Sequence, residues 1–425
     1  MTKAIITNRI YLDNSPEVQR DMLEALTYKI PSYRPELPPK IISNVRIINE
    51  NLLAIPSGRV DLIPPYYEVE DRRNEVPVEF PAFKFTLRPA QQEVYDKVNS
   101  DCFINAWTSW GKTFTGLAIA GKLGQKTLII VHTLALRDQW AKEVEKVYGF
   151  TPSIIGSGSF DTSKPITIAN IQTLARRHKT KFNKLFGTVM VDECHHIPAK
   201  SFSDILESMD AKYKIGLSAS NERKDGLHVL FQDYFSIKKF TPPRENFMEP
   251  VVHRVSLPFL VADGVQTWAE KINDLAYSSD YQKALAMVAA SYAAKGHKVL
   301  VIGARTRLLQ RCAELTPKSV CVVGSTKERG KEIDKLRRGD AKVLYGSTNI
   351  FSEGISINDL SCLILGTPLN NEPLLEQLIG RVIRKAEDKL EPVVVDILLK
   401  GRTVSKQAQL RKAYYMKQGY KIREL

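Results

Sequence analysis

The chain has 425 residues, 43% hydrophobic and 25% charged, an ordinary globular composition with room for two or three cores. No run approaches the roughly 18 apolar residues of a membrane span, and the first residues, "MTKAIITNRIYLDNS", lack the apolar core and cleavage site of a secretory signal. Five scattered cysteines without a C-x-x-C suit a reducing cytoplasm and argue against disulfides or a zinc module, while a net charge of +14 points to polyanionic partners.

Residues 1–80 mix short apolar runs with many prolines and predict a small α+β module. "NLLAIPSGRVDLI" reads as strand, turn and strand around Ser57 and Gly58, and the proline- and acid-rich stretch 64–81 as a linker. From Leu87 the texture changes. "RPAQQEVYDKVNS" predicts a helix, "DCFINAW" a buried strand, "TFTGLAIAGKLG" a helix and "KTLIIVHT" a strand. The alternation continues to "YKIGLSAS", lapses over 238–265, and resumes after about 275 through "HKVLVIGA", "AKVLYGST" and "PVVVDILL". Strands alternating with helices of this length predict parallel, doubly wound sheets. The expected division is 1–80, an α/β domain over 81–242, and a connector plus second α/β domain over 243–425.

"AWTSWGKTFTG" (106–116) is close to the phosphate-loop pattern G-x-x-x-x-G-K-[ST], with Ala106 at the first glycine. A strand before it and an alanine-rich helix after it would aim backbone N–H groups and a helix dipole at a phosphate. Thr108, Ser109, Trp110 and Gly111 form the loop, Lys112 would reach the β/γ-phosphates, and the Thr113 hydroxyl would ligate Mg²⁺. Packing beneath the loop is the expected role of Trp107 and Trp110, with contact to ATP or a neighbouring motif as the alternative. "FGTVMVDECHH" then ends an apolar strand in two carboxylates. Asp192 would hold Mg²⁺, and Glu193 would orient and deprotonate the attacking water. Consecutive Cys194, His195 and His196 are poorly spaced to converge on zinc.

The order "LRPAQ" (87–91), "TSWGKT" (108–113), "DECH" (192–195), "SAS" (218–220), "STNIFSEGI" (347–355) and "QLIGRVIR" (377–384) resembles superfamily 2 helicases and translocases over roughly residues 85–400. Within them it is similar to the XPB-type repair helicases and to phage UvsW-type branch-migration helicases. The resemblance implies two RecA-like domains. It implies that Gln91, with Arg88 nearby, reads adenine, and that Ser218 and Ser220 couple hydrolysis to movement. Thr348, Glu353 and Gly354 would sense nucleotide and touch the nucleic-acid backbone, and Gln377, Arg381 and Arg384 would act on the γ-phosphate, the arginines as fingers. Spacing of three would put Arg381 and Arg384 on one face of a helix 372–385. Thr133, Arg137, Gly156, Thr173, Arg305 and Ser325 occupy the family's strand-binding positions.

Two basic segments keep two readings each. "RRHKTK" (176–181) is a DNA contact or a solvated run. The last 26 residues, with eight Lys or Arg and one acid, hold Tyr414, Tyr415 and Tyr420, which grip nucleic acid or pack on the second domain. The expected activity is ATP- and Mg²⁺-dependent remodelling of branched or forked DNA, or of single-strand/duplex junctions, by a cytoplasmic, membrane-free monomer. An RNA helicase, and a nucleic-acid-binding nucleotide switch without unwinding, are the alternatives. A restriction-type motor lacks a nuclease motif here.

Overall fold

The computed structural model describes residues 2–30, 38–156, 158–176, 184–196, 199–219, 226–352, 357 and 359–425. It divides into two compact units, Met1–Arg244 and Glu245–Leu425.

In the first unit, the helix Pro16–Leu26 buries Val18, Met22 and Leu26, one residue per turn, against Ile10, Leu12, Leu53 and Ile55 of a five-stranded sheet. That sheet runs Arg46–Asn49, Leu52–Pro56, Arg9–Asp13, Lys3–Ile6, Glu68–Asp71. Two sequence expectations change here. The stretch read as a linker contains the strand Glu68–Asp71, parallel to Lys3–Ile6. Its acids are those of an exposed edge, where charge blocks further pairing. After Pro56 the chain makes a short 3-10 turn, Val60–Leu62, instead of a second strand, because Gly58 bonds backbone to backbone with Asp233.

From there the chain is stitched to the larger sheet of the unit. Asn74 N–H donates to the Asp210 carbonyl at 2.6 Å, Val76 N–H to Gln125 Oε1 at 2.6 Å, and Val78 N–H to the Gly124 carbonyl at 3.0 Å. The fully buried Lys214 donates through Nζ to Ser57 Oγ at 2.8 Å. Burial pulls its amine down to about 8.

The larger sheet has eight strands, in the order Ser159–Phe160, Ser153–Gly156, Ile166–Asn170, Thr127–Val131, Thr188–Asp192, Tyr213–Ser218, Cys102–Asn105, Lys239–Phe240. Every pairing is parallel except that of the Ser159–Phe160 edge. Three central strands are buried at every position, so they read as unbroken apolar runs. The C-terminal ends of four strands of this sheet, Cys102–Asn105, Thr188–Asp192, Tyr213–Ser218 and Ser153–Gly156, lead into the phosphate-loop motif, Asp192, Ser218 and Gly156, the edge where open α/β sheets hold ligands.

The second unit has seven parallel strands, ordered Ser319–Val322, Val343–Ser347, Val299–Gly303, Cys362–Leu365, Val393–Lys400, Val251–Leu260, Lys421–Glu424. The helix Glu372–Val382 stops short of the expected 385. Met248 N–H donates to the Ile383 carbonyl at 2.7 Å, and Arg384 pairs with Phe247 as an antiparallel bridge. That competing ladder draws the backbone out of the helix, so Arg384 does not share a helical face with Arg381. The C-terminal helix Arg402–Lys417 and the strand after it bury Tyr414, Tyr415 and Tyr420, which favours packing for all three. The eight-stranded sheet of the first unit and the seven-stranded sheet of the second are RecA-like doubly wound sheets.

Candidate nucleotide and nucleic-acid sites

The loop 106–111 connects the buried strand Cys102–Asn105 to the helix Lys112–Leu123. Gly111 caps that helix at φ +95°, and Ser109 takes φ +76°. Left-handed backbone of this kind is an ingredient of the nests that anions occupy. Ser109 thus adopts the conformation that a glycine would take without strain. Thr108 Oγ1 is buried and has no hydrogen-bond partner among the described residues.

Three contacts set the loop. Gln91 Nε2 donates to the Trp110 carbonyl at 2.9 Å, and the Arg88 guanidinium donates to the same oxygen. Ala106 N–H donates to the Ser218 carbonyl at 3.0 Å, tying the loop to the strand that ends in "SAS". Trp110 is fully buried, and Trp107 is buried with the Arg244 guanidinium 5.5 Å from its ring centroid. Burial of both indoles favours packing over contact with ATP.

Lys112 Nζ donates to the Ala106 carbonyl at 3.0 Å and lies 3.5 Å from Glu193 Oε1. The other Glu193 oxygen stands 3.4 Å from His195 Nδ1 and accepts the Ala219 N–H at 3.4 Å. His195 Nδ1 also shares a 2.7 Å hydrogen bond with Ser218 Oγ. Asp192 accepts Trp140 Nε1–H on Oδ2 at 2.7 Å and the Glu193 backbone N–H on Oδ1 at 3.0 Å. Burial, and then the Glu193 charge, push the Asp192 carboxyl up to about 6, against the Trp140 bond and the Lys112 charge. Two adjacent carboxylates, only partly offset by Lys112, are oxygen donors that suit a hard divalent cation.

A second group gathers on the same sheet edge. A Cβ on Gly156 would fall 3.6 Å from the Arg137 guanidinium, 3.8 Å from Thr173 Oγ1 and 3.9 Å from Asn170 Oδ1. Thr133 caps the helix Leu134–Tyr148 by accepting the Leu136 N–H at 3.3 Å. Four expected strand-binding residues of this unit thus lie at neighbouring positions.

In the second unit, Arg305 is half-buried and donates at the surface to Asn273 Oδ1 at 2.6 Å and the Ala269 carbonyl at 3.0 Å. Ser325 is exposed, and Thr348 Oγ1 donates to the Gly303 carbonyl at 3.2 Å. Gln377 and Arg381 are buried, and burial lowers the Arg384 pKa. Ser220, Glu353, Gly354 and most of "RRHKTK" lie outside the described residues.

Sequence reasoning missed Trp140 and His195 as partners of the two carboxylates. A tryptophan on an amphipathic helix signals only core, and the identity of its N–H acceptor is a tertiary fact. His195 is visible in "DECHH", but its turn back to Ser218 depends on the neighbouring strand.

Residues 84–223 match the family model described as type III restriction enzyme, res subunit, and residues 281–386 match the helicase conserved C-terminal domain. The probable helicase D10 of Escherichia phage T5 is 40% identical over 430 residues, spanning 99% of this chain and 95% of its own length. A candidate ATP-dependent RNA helicase of Acanthamoeba polyphaga mimivirus is 26% identical, over 99% of this chain and 85% of its own. The ATP-dependent DNA helicase uvsW of Enterobacteria phage T4 is 26% identical, over 75% of this chain and 69% of its own. With its motifs gathered on the strand ends of RecA-like sheets, the chain belongs to the superfamily 2 helicases, the ATP-hydrolysing nucleic-acid helicases.

Proposed function

We propose that this helicase is a DNA motor that hydrolyses ATP to remodel branched or forked DNA. The observation that supports the reading is one bonded network and one cluster of the expected strand-binding residues on the same edge of one sheet. Lys112, Glu193, His195, Ser218 and Asp192 are linked at the strand ends, and Thr133, Arg137, Gly156 and Thr173 lie along the same edge.

In this reading the N–H groups of Gly111, Lys112 and Thr113 cradle the phosphates, and Lys112 exchanges the Ala106 carbonyl for a phosphate oxygen. Glu193, held by the Ala219 N–H and close to Lys112, accepts a proton from the attacking water. Thr113 and Asp192 would hold Mg²⁺, which when bound neutralises phosphate charge. Gln91 and Arg88 set the loop through the Trp110 carbonyl besides meeting adenine. Gln377, Arg381 and Arg384 are assigned to the γ-phosphate, and Ser218 with Ser220 to coupling. The grouped hydroxyls, glycine and arginine suit phosphate contacts that position without reading sequence.

The DNA assignment is supported by the "LRPAQ" form and by the T4 relative named as a DNA helicase. An RNA substrate is the second reading, favoured by the mimivirus relative's name. ATP turnover is measured with single-strand, duplex, forked and four-way-junction DNA, and with RNA of equal length. Strongest stimulation by branched DNA is expected, and stronger stimulation by RNA overturns the assignment. Glu193→Gln abolishes stimulated turnover while DNA binding persists. Undiminished turnover in that variant refutes the base.

A further inference from the structure

Trp140 is fully buried on the helix Leu134–Tyr148. Its Nε1–H donates to Asp192 Oδ2 at 2.7 Å, while the Glu193 N–H occupies Oδ1 at 3.0 Å. A donor on each oxygen fixes the plane of the carboxylate. The same indole reaches under the phosphate-loop helix, where a Cβ added at Gly116 would stand 3.2 Å from Trp140 Cη2. One turn earlier on its own helix, about 4.5 Å along the axis, is Arg137, beside Gly156 and Thr173. Trp140 therefore touches the metal-site carboxylate and the nucleotide helix, and shares a rigid turn with the nucleic-acid cluster.

A buried tryptophan usually finds an acceptor for its N–H, and for core packing alone a backbone carbonyl would serve. Here the acceptor is an ionisable oxygen. Hydrogen bonds to charged acceptors are roughly twice as strong as neutral ones.

We infer that Trp140 is a positioning residue: its indole N–H holds Asp192 in register for the Mg²⁺–nucleotide and links that carboxylate, through one helical turn, to the residues that meet nucleic acid. The inference rests on the nucleic-acid-stimulated ATPase proposed above. Engagement of phosphate at Thr133 and Arg137 shifts the helix, and the indole carries that shift to Asp192.

The test replaces Trp140 in the full chain with β-(3-benzothienyl)alanine, which keeps the fused rings and exchanges N–H for sulfur. Trp140→Phe serves as a second variant. Affinity for a fluorescent ADP analogue is measured with and without Mg²⁺, beside ATP turnover with and without DNA, and DNA affinity. The gain in nucleotide affinity on adding Mg²⁺ should fall about tenfold or more, as for other residues that orient a metal ligand. The stimulation by DNA should fall with it, while Mg²⁺-free nucleotide affinity and DNA affinity hold. Because the Mg²⁺ gain is a ratio within one folded protein, a modest loss of stability does not obscure it. An unchanged gain and unchanged stimulation overturn the inference, and so does an equal loss of Mg²⁺-free affinity, which would make Trp140 packing alone. A wild-type chain that no nucleic acid stimulates refutes the proposed function instead, and the Mg²⁺ ratio still decides the role at Asp192.

Discussion

Gly58 donates its N–H to the Asp233 carbonyl at 3.0 Å, and a Cβ built on Gly58 would stand 2.7 Å from that same oxygen. The Asp233 carboxylate is buried and accepts from Tyr28 Oη at 2.8 Å, Asn44 Nδ2 at 2.6 Å and Arg59 NH1 at 3.3 Å. A loop and three side chains of the N-terminal module thus converge on one short helix, Phe231–Phe235.

Gly58→Ala forces the Cβ against three backbone atoms within 2.8 Å, which no rotamer change relieves. The expected destabilisation is about 1–3 kcal/mol, in the range of overpacking. Urea unfolding measures it, and limited proteolysis should show the N-terminal module cut first. A variant as stable as the parent would mean that the close fit does not hold in solution.

Acid should loosen the same module. Burial alone would raise the Asp71 carboxyl, but the hydrogen bonds and charge of Arg73, with Lys212, outweigh it and bring it down to about 2. A folded value below the unfolded one, roughly 3.9, stabilises fully above that unfolded value. The contribution is lost as pH falls through the folded value. The stability gap between the parent and Asp71→Asn should therefore shrink between about pH 5 and pH 3. Urea midpoints across that range check it, and a constant gap counts against the ion pairs.

Ser109 at φ +76° is the strained position of the phosphate loop. Left-handed backbone costs a non-glycine residue roughly 1–2 kcal/mol, partly offset by the greater unfolded freedom of glycine. Ser109→Gly should keep nucleotide affinity and melt no lower than the parent. Ser109→Val, with a β-branched side chain at positive φ, should lose nucleotide affinity about tenfold or more. Calorimetric titration with ADP separates the two, and tolerance of valine would show that the loop is not fixed in this form.

The basic C-terminal end needs a gentler test than removal. Tyr415 is fully buried, and Lys421–Glu424 pairs with Val251–Leu260, so deleting residues 401–425 would damage the second unit. Arg402→Gln, Lys406→Gln and Lys421→Gln alter exposed side chains instead. If they meet phosphates, the salt slope of DNA binding falls by about 0.9 for each phosphate that is no longer neutralised. An unchanged slope removes them from the DNA surface.

The two α/β sheets were legible because parallel strands buried on both faces are written as apolar runs, as in "TLIIV" and "TVMVD". The loop, Lys112 and the Asp192–Glu193 pair were legible for the same reason, since each follows such a strand directly. What escaped depends on residues distant in the chain. Arg384 leaves its helix because Asn246, Phe247 and Met248 offer its backbone another ladder. The acids of 68–71 look like a linker until Lys3–Ile6 lies beside them. Nothing in the sequence pairs Trp140 with Asp192, and only the fold turns its N–H onto that carboxylate.

The stitches from Asn74 to Val78 bear on how the protein can be dissected. A shortened gene starting at codon 81 would remove the donor that meets Gly124 and the N–H that meets Gln125. It would also strip Ser57 from Lys214, Arg9 from Glu207 and Arg59 from Asp233, baring buried charges on what had been an interior surface. The nucleotide-binding half is therefore best cloned with its first eighty residues attached.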